Sequence, residues 1–153
     1  MNEVDISERN VTAPSWKARL RRFTRAVLRH IGKHRWSVSL LLCDDSCIRE
    51  LNRTYRGKDL ATDVLSFRQQ DASATEMPAH INTRPGGDIV ISLDTLKRNA
   101  SALGVSFGDE IKRLVVHGLL HLDGMDHDDD DEQDPMFKLQ DQILDDLSRR
   151  RIV

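Results

Sequence analysis

Apolar residues recur every three or four positions in two parts of the chain, which predicts amphipathic helices there. The first pattern runs from Ser15 to Ile31, and Gly32 is expected to end that helix. The second pattern covers residues 136–147 and follows an acidic run. Between them, residues 111–122 are apolar on nearly every side, as is typical of a buried central helix.

Short apolar runs bounded by polar residues predict the strands. These runs are residues 36–43, 62–67 and 89–91, with a short edge strand at residues 4–6. Residues 69–85 are rich in Ala, Ser, Thr and Pro and predict an irregular surface loop. Because helices and strands are interspersed, we expect an α/β (α+β) fold with a small mixed sheet. No repeat or long linker divides residues 1–153, which predicts a single domain.

The composition is typical of a globular chain, with 39% hydrophobic and 31% charged residues. No apolar run approaches the roughly 18 residues of a membrane span, so we expect no membrane partner. The N-terminus is polar and acidic rather than a secretory signal, which favours a cytoplasmic location. Cys43 and Cys47 are then expected to be reduced thiols packed in the core, with a redox or metal role as the lesser alternative.

A net charge of −2 hides an uneven distribution of charge along the chain. Residues 1–58 contain 13 Lys and Arg against 6 Asp and Glu, whereas residues 59–153 contain 10 against 19. A basic half suits a polyanion-binding surface, and Arg22, Arg25 and Arg29 of the first predicted helix are candidates to contact a nucleic acid. The alternative is that both sets of charges are solvated surfaces that attract each other, and charge alone does not decide.

Three histidines in the sequence HGLLHLDGMDH, residues 117–127, have the spacing of metal ligands. His117 and His121 are four apart on a helix, so both side chains lie on one face and can bind one zinc ion. Gly124 is expected to adopt a left-handed conformation that ends the helix and returns His127 towards the same ion. Three ligands leave one position open for water, which is typical of catalytic zinc. A histidine network without metal is the alternative.

Gly118 stands where zinc peptidases of the H-E-x-x-H type have the glutamate that activates water. Glycine cannot accept a proton, so we expect Gly118 instead to let another element approach the helix closely. Zinc lowers the pKa of bound water to about 7 without a carboxylate. Asp126 is a candidate to orient a ligand imidazole or accept the water proton; alternatively, it only begins the acidic run that caps the last helix. All-imidazole ligation suits zinc, with nickel, copper and iron as alternatives.

Three motifs together resemble the YbeY family of bacterial endoribonucleases, which are ribosomal RNA maturation factors. They are LNRTYRGKDLATDVLSF at residues 51–67, GGDIVIS at residues 86–92 and HGLLHLDGMDH at residues 117–127. The resemblance covers nearly the whole chain in order. The family pattern near the metal is H-G-x-L-H-L-x-G-Y-D-H. In this chain Met125 replaces the tyrosine of the pattern, and Asp123 occupies a variable position that is usually apolar.

The resemblance implies a single zinc ion held by His117, His121 and His127, on a sheet of about four strands surrounded by helices. It also implies cleavage of single-stranded RNA, maturation of the 3′ end of small-subunit (16S) ribosomal RNA and a part in ribosome quality control. The implied partners are single-stranded RNA, precursor ribosomal RNA and the small ribosomal subunit with its assembly proteins, and we expect a monomer. The functional arginine of the family corresponds to Arg56.

Arg56 precedes a predicted strand, where an arginine suits the binding of two phosphate oxygens; the alternative is a surface salt bridge with Asp59 or Asp63. We hypothesise that RNA enters a groove flanked by the basic first helix, and that one phosphate lies near zinc and Arg56. The two rival interpretations are a zinc peptidase-like hydrolase and a non-catalytic, metal-stabilised ribosome assembly factor.

Overall fold

The apolar runs and helical patterns form four strands and five helices in the part of the chain that the structure describes. A computed structural model describes residues 1–69, 84–125 and 134–153. The strands are β1 (Glu3–Arg9), β2 (Trp36–Cys43), β3 (Val64–Arg68) and β4 (Arg84–Ser92). The helices are α1 (Lys17–His30), α2 (Asp45–Arg56), α3 (Leu93–Leu103), α4 (Phe107–Leu122) and α5 (Pro135–Asp146). None of the helices within these ranges has the length and apolar character needed to span a membrane.

The strands form one sheet with the order β1-β2-β4-β3. Strand β2 lies parallel to both β1 and β4, whereas β3 lies antiparallel to β4. This arrangement confirms the predicted α/β fold with a small mixed sheet of four strands. Strand β1 is an edge strand, as predicted, although it extends beyond residues 4–6.

Strand β4 begins at Arg84, so Arg84 and Pro85 belong to the sheet and not to the predicted loop. The composition of this stretch predicts a loop, but pairing with β2 decides its conformation. Arg84 pairs with Trp36, and Pro85 pairs with Ser37. Proline lacks an N–H donor and is rare inside strands, so it gives no strand signal in the sequence. The remainder of the predicted loop, residues 70–83, lies outside the described residues.

Alternating side chains of the central strands build a separate core on each face of the sheet. On one face, Val38, Leu40 and Ile89 join the larger core, to which α1, α3, α4 and α5 also contribute. On the other face, Val90 packs with Ile48 of α2 in a smaller core. Helix α4 is buried along most of its length, which confirms the predicted central helix.

The smaller core contains both cysteines, which are buried and form no disulfide. Burial disfavours the charged thiolate and raises the pKa of Cys43 far above its usual range, and the neighbouring Cys47 adds to the effect. A thiol in this state is a poor nucleophile and a poor metal ligand. The predicted packing of the two cysteines in the core is confirmed.

Helix α4 is capped at both ends. At its start, the Ser106 side chain accepts a hydrogen bond from the Asp109 N–H at 3.0 Å. At its end, Gly124 has a φ of 95°, and its N–H donates to the His121 carbonyl at 3.0 Å. The N–H of the next residue donates to the Leu120 carbonyl, also at 3.0 Å, which completes a Schellman motif. The prediction that Gly124 ends this helix is confirmed.

Two glycines let neighbouring elements meet at distances that no Cβ permits. A Cβ at Gly118 would lie 2.9 Å from Cδ1 of Ile89, which confirms the predicted close approach of another element to α4. A Cβ at Gly87 would lie 2.2 Å from the Phe67 carbonyl oxygen and 2.8 Å from Cδ2 of Leu122. The last turn of α4 and strand β3 therefore both pack on β4 at a point where β4 has no side chain.

Replacing Gly87 by alanine is expected to lower the free energy of unfolding by about 2–4 kcal/mol, because the new Cβ overlaps the backbone of β3. A φ of 139° adds strain for any residue that carries a Cβ. The control is Gly108→Ala, whose Cβ would meet nothing closer than 3.7 Å and should change this free energy by less than about 0.5 kcal/mol. Urea unfolding measures both variants, and equal stabilities would contradict the close contact.

Candidate active site

His117 and His121 lie one turn apart on α4, as their spacing predicts. Their Nε2 atoms are 3.0 Å apart, and the two ring planes meet at 77°. Both side chains are half-buried and line an open groove. The helix thus brings two imidazole nitrogens together at the protein surface.

Helix α5 holds the His117 ring in place. The Gln140 side chain is buried, and its Oε1 lies 2.9 Å from Nδ1 of His117. An amide oxygen only accepts hydrogen bonds, so Nδ1 donates and Nε2 keeps its lone pair. The Phe137 ring stacks against the same imidazole, with centroids 6.2 Å apart. These contacts set both the orientation and the tautomer of His117.

The nitrogen donors fit a metal ion of the kind that imidazole prefers. Two Nε2 atoms 3.0 Å apart can both reach one ion through bonds of about 2.0–2.1 Å. His127, the third predicted ligand, and Asp126, the candidate base, lie outside the described residues. Within the described ranges, no group of three or more His, Cys, Asp or Glu side chains is arranged to hold a metal. The structure therefore describes two of the three predicted ligands.

The groove beside the histidines has a volume of about 790 Å³ and is bordered by α2, β3 and α4. Its side chains of permanent charge are all basic, namely Arg56, Lys58 and Arg68, and none of its described lining residues is acidic. A concave surface of one sign raises the local concentration of ions of the opposite sign. The groove therefore suits an anionic substrate.

Arg56 lies at the end of α2 and is held over the groove by strand β3. Its Nη2 donates to the Ser66 carbonyl at 2.5 Å, and its guanidinium lies 5.1 Å from the centre of the Phe67 ring. The alternative of a salt bridge is not found, because Asp59 pairs with Arg49 at 2.9 Å and Asp63 lies 3.6 Å from Arg113. In the described part of the chain, no carboxylate neutralises Arg56.

Three side chains of the site are not predicted from the sequence as functional residues: Lys58, Arg68 and Gln140. The Arg68 Nε donates to the carbonyl of His121 at 3.1 Å, which ties the end of β3 to the histidine helix. Gln140 lies between Met136 and Ile143 on the buried face of α5. A polar residue within that apolar stripe is a signal that could have identified it, because buried polar groups need a partner. Lys58 and Arg68 carry no such signal.

The position between the two histidines is occupied by a tightly packed glycine. A Cβ at Gly118 would lie 2.9 Å from Cδ1 of Ile89, which is fully buried, so a larger residue here would require its neighbours to shift. Glycine has no carboxylate, and this position therefore does not supply the base of a zinc peptidase.

The three candidate nucleic-acid contacts of α1 lie apart from this groove. Arg22, Arg25 and Arg29 line a second cavity, which shares no described lining residue with the groove. Helix α1 packs against β1, and the sheet order places β1 and β3 at opposite edges. In the described part of the chain, the groove is bordered by α2 and not by the basic first helix.

Comparison with known proteins assigns the family. The model of the family described as Endoribonuclease YbeY matches residues 3–148. A protein named Endoribonuclease YbeY from Treponema denticola is 46% identical, over 82% of this chain and 80% of the relative. A protein of the same name from Persephonella marina is 38% identical, over 94% of this chain and 88% of the relative. A solution structure from Thermotoga maritima is similar, with a TM-score of 0.57, 27% identity and coverage of 94% of this chain and 88% of that one. The chain therefore belongs to the YbeY family of endoribonucleases.

Proposed function

We propose that this chain is a zinc-dependent endoribonuclease that cuts single-stranded RNA. The observation that carries the proposal is a histidine pair that faces a groove with three basic side chains and no acidic one among its described lining residues. The names of the relatives support the same activity. On the strength of the sequence motifs, the proposed role is maturation of the 3′ end of 16S ribosomal RNA and ribosome quality control. The proposed partners are precursor ribosomal RNA and the small subunit with its assembly proteins.

His117, His121 and His127 would hold the zinc ion. When bound, zinc acts as a Lewis acid and lowers the pKa of a coordinated water to about 7. Gln140 keeps the proton of His117 on Nδ1, which leaves the Nε2 lone pair available. Asp126 is proposed to orient a ligand imidazole or to accept a proton.

Arg56 would bind the phosphate at which cleavage occurs. Its Nη2 is held by Ser66, and its position over Phe67 leaves other guanidinium N–H groups for two phosphate oxygens. Negative charge that develops on phosphorus during cleavage is stabilised by such fixed donors. Lys58 and Arg68 add positive charge along the path of the strand.

The geometry argues against the two rival interpretations. A peptidase of the H-E-x-x-H type needs a carboxylate next to the first histidine, and Gly118, which packs on Ile89, supplies none. A purely structural zinc site is closed on all sides by protein ligands. His117 and His121 instead face an open groove, which favours a catalytic site.

Removing one ligand tests the metal and the activity together. His121→Ala is expected to reduce zinc, measured by elemental analysis, from one ion per chain to a small fraction, and to abolish cleavage of single-stranded RNA. The control His30→Ala alters an exposed histidine outside the groove and should keep both zinc and activity. Casein should remain intact with every variant. A folded His121→Ala protein that still cuts RNA would overturn the proposal.

Arg56→Ala is expected to lower kcat/KM for RNA cleavage by about 100-fold or more, because a fixed donor to the developing charge is lost. Zinc content and urea unfolding should stay unchanged, since Arg56 is exposed. Arg53→Ala is the matched control, because Arg53 is an exposed arginine of the same helix that does not line the groove. Similar losses in the two variants would show that only the overall charge matters.

Gln140→Leu is expected to weaken zinc binding by about 10–100-fold, because Nδ1 of His117 loses its acceptor. Gln140→Glu retains an acceptor oxygen and should bind zinc more tightly than Gln140→Leu. Gln142→Leu removes an exposed amide from the same helix and serves as the control. Competition with a chromogenic chelator measures the three affinities. Equal zinc affinity of Gln140→Leu and the unaltered protein would refute this role.

A further inference from the structure

A second cavity lies where the N-terminal residues, α1 and the segment after α5 meet. Its volume is about 310 Å³, and four arginines and a histidine supply most of its wall. They are Arg22, Arg25, Arg29, Arg150 and His34. The family motifs lie elsewhere in the chain, and none of the described groove residues contributes to this cavity.

The fold brings these basic side chains together from distant parts of the chain. Arg22, Arg25 and Arg29 follow the three- and four-residue spacing that places side chains on one face of α1. Arg150 comes from the opposite end of the chain, where the buried side chain of Ile152 anchors the segment. The cavity is therefore a product of tertiary structure and not of one basic helix.

Asn2 joins the wall of the cavity to its surroundings. Its Nδ2 donates to the Lys33 carbonyl at 2.9 Å, and its Oδ1 accepts from the Trp36 N–H at 2.9 Å. The side chain is 4% exposed, and these bonds connect the residue before β1 to the turn before β2. His34 lies within that turn, so its position is set by bonded backbone on either side.

Within the part of the chain that the structure describes, no carboxylate neutralises the positive charge of the cavity. No acidic residue is among its described lining residues, and none of its four arginines forms an ion pair with a described carboxylate. Nε of Arg25 is buried and has no hydrogen-bond partner in the described structure. Burying a guanidinium N–H without an acceptor is unfavourable, so this arginine is held in place at an energetic cost.

Two acidic side chains have partners that do not line the cavity. Asp146 contacts His30 at 3.1 Å, and Asp123 pairs with Lys33 at 2.5 Å. Convergent arginines without carboxylate partners are the usual recognition device for phosphate, because guanidinium groups donate two parallel hydrogen bonds. The ligand that matches this cavity is therefore a phosphate group.

We propose that this cavity binds backbone phosphates of the RNA strand at a distance from the histidine groove. The inference rests on the proposed function, since it assigns a second contact to the same substrate. No Phe, Tyr or Trp is among the described lining residues of the cavity, so its contacts to a strand come chiefly from arginines, which suit phosphate oxygens. Recognition of phosphate rather than base makes this contact independent of sequence. A strand that reaches both sites binds more tightly than either site alone allows.

The test compares two triple variants of equal charge. Arg22→Gln/Arg29→Gln/Arg150→Gln alters exposed side chains of the cavity. Arg19→Gln/Arg149→Gln/Arg151→Gln alters exposed arginines of the same helix and the same C-terminal segment, outside the cavity. Both carry His121→Ala, so that the RNA stays intact. Fluorescence anisotropy with a single-stranded RNA of about 30 nucleotides, several times a typical binding site, gives the affinities over a range of salt concentrations.

The cavity variant is expected to bind this RNA at least tenfold more weakly at low salt than the control variant. For the cavity variant, the slope of log affinity against log salt concentration should be shallower by about 2. Three phosphate contacts are lost, and each contact to a single strand contributes about 0.7 to the slope. Equal affinities of the two variants would overturn the proposal. If the cavity variant lost affinity for tripolyphosphate but bound RNA as tightly as the control variant, the cavity would be a site for a small anion. That result would also overturn the proposal. Absence of RNA cleavage by the unaltered protein would refute the proposed function alone, since this comparison does not require cleavage.

Discussion

The contact between helix α4 and strand β4 is the constraint on which the site depends. Gly118 lets the helix pack directly on Ile89, and Gly87 lets the last turn of the helix and strand β3 pack on the bare backbone of β4. With α4 seated this deeply, its half-buried face presents His117 and His121 to the groove. A glycine within a helix costs about 1 kcal/mol relative to alanine, and the close packing offsets that cost.

The same contact gives the site its chemical character. It leaves no side chain at the position between the histidines, and the described charged residues of the groove are all basic. It also brings β3 within reach of the helix, where Arg68 bonds to the carbonyl of His121. On the far side, Gln140 orients His117. The preference of the groove for anions thus follows from its basic residues, and the contact of Arg68 with α4 places one of them beside the histidines.

The sequence predicts those features of the site that depend on local spacing. The separation of the two histidines, the left-handed Gly124 and the close approach at Gly118 are all indicated by residues within one helix or just after it. Contacts of Gln140 and Arg68 join residues 23 and 53 positions apart, so they depend on how elements pack, which periodicity does not encode. The start of β4 was not predicted for the same reason: its conformation depends on pairing with β2 and not on its own composition.

The basic residues of the chain have two roles, ion pairing within the protein and anion binding. The distribution of charge along the sequence does not distinguish between them. Some basic residues of the first 58 positions pair with acidic residues that follow, as Lys33 does with Asp123 and Arg49 with Asp59. These pairs match the interpretation that the two halves attract each other. Arg56 and the arginines of the second cavity take no part in such pairs within the described structure. Since ion pairing neutralises only part of the basic charge, a share of the remainder lies in two concave surfaces, where it is available to phosphate.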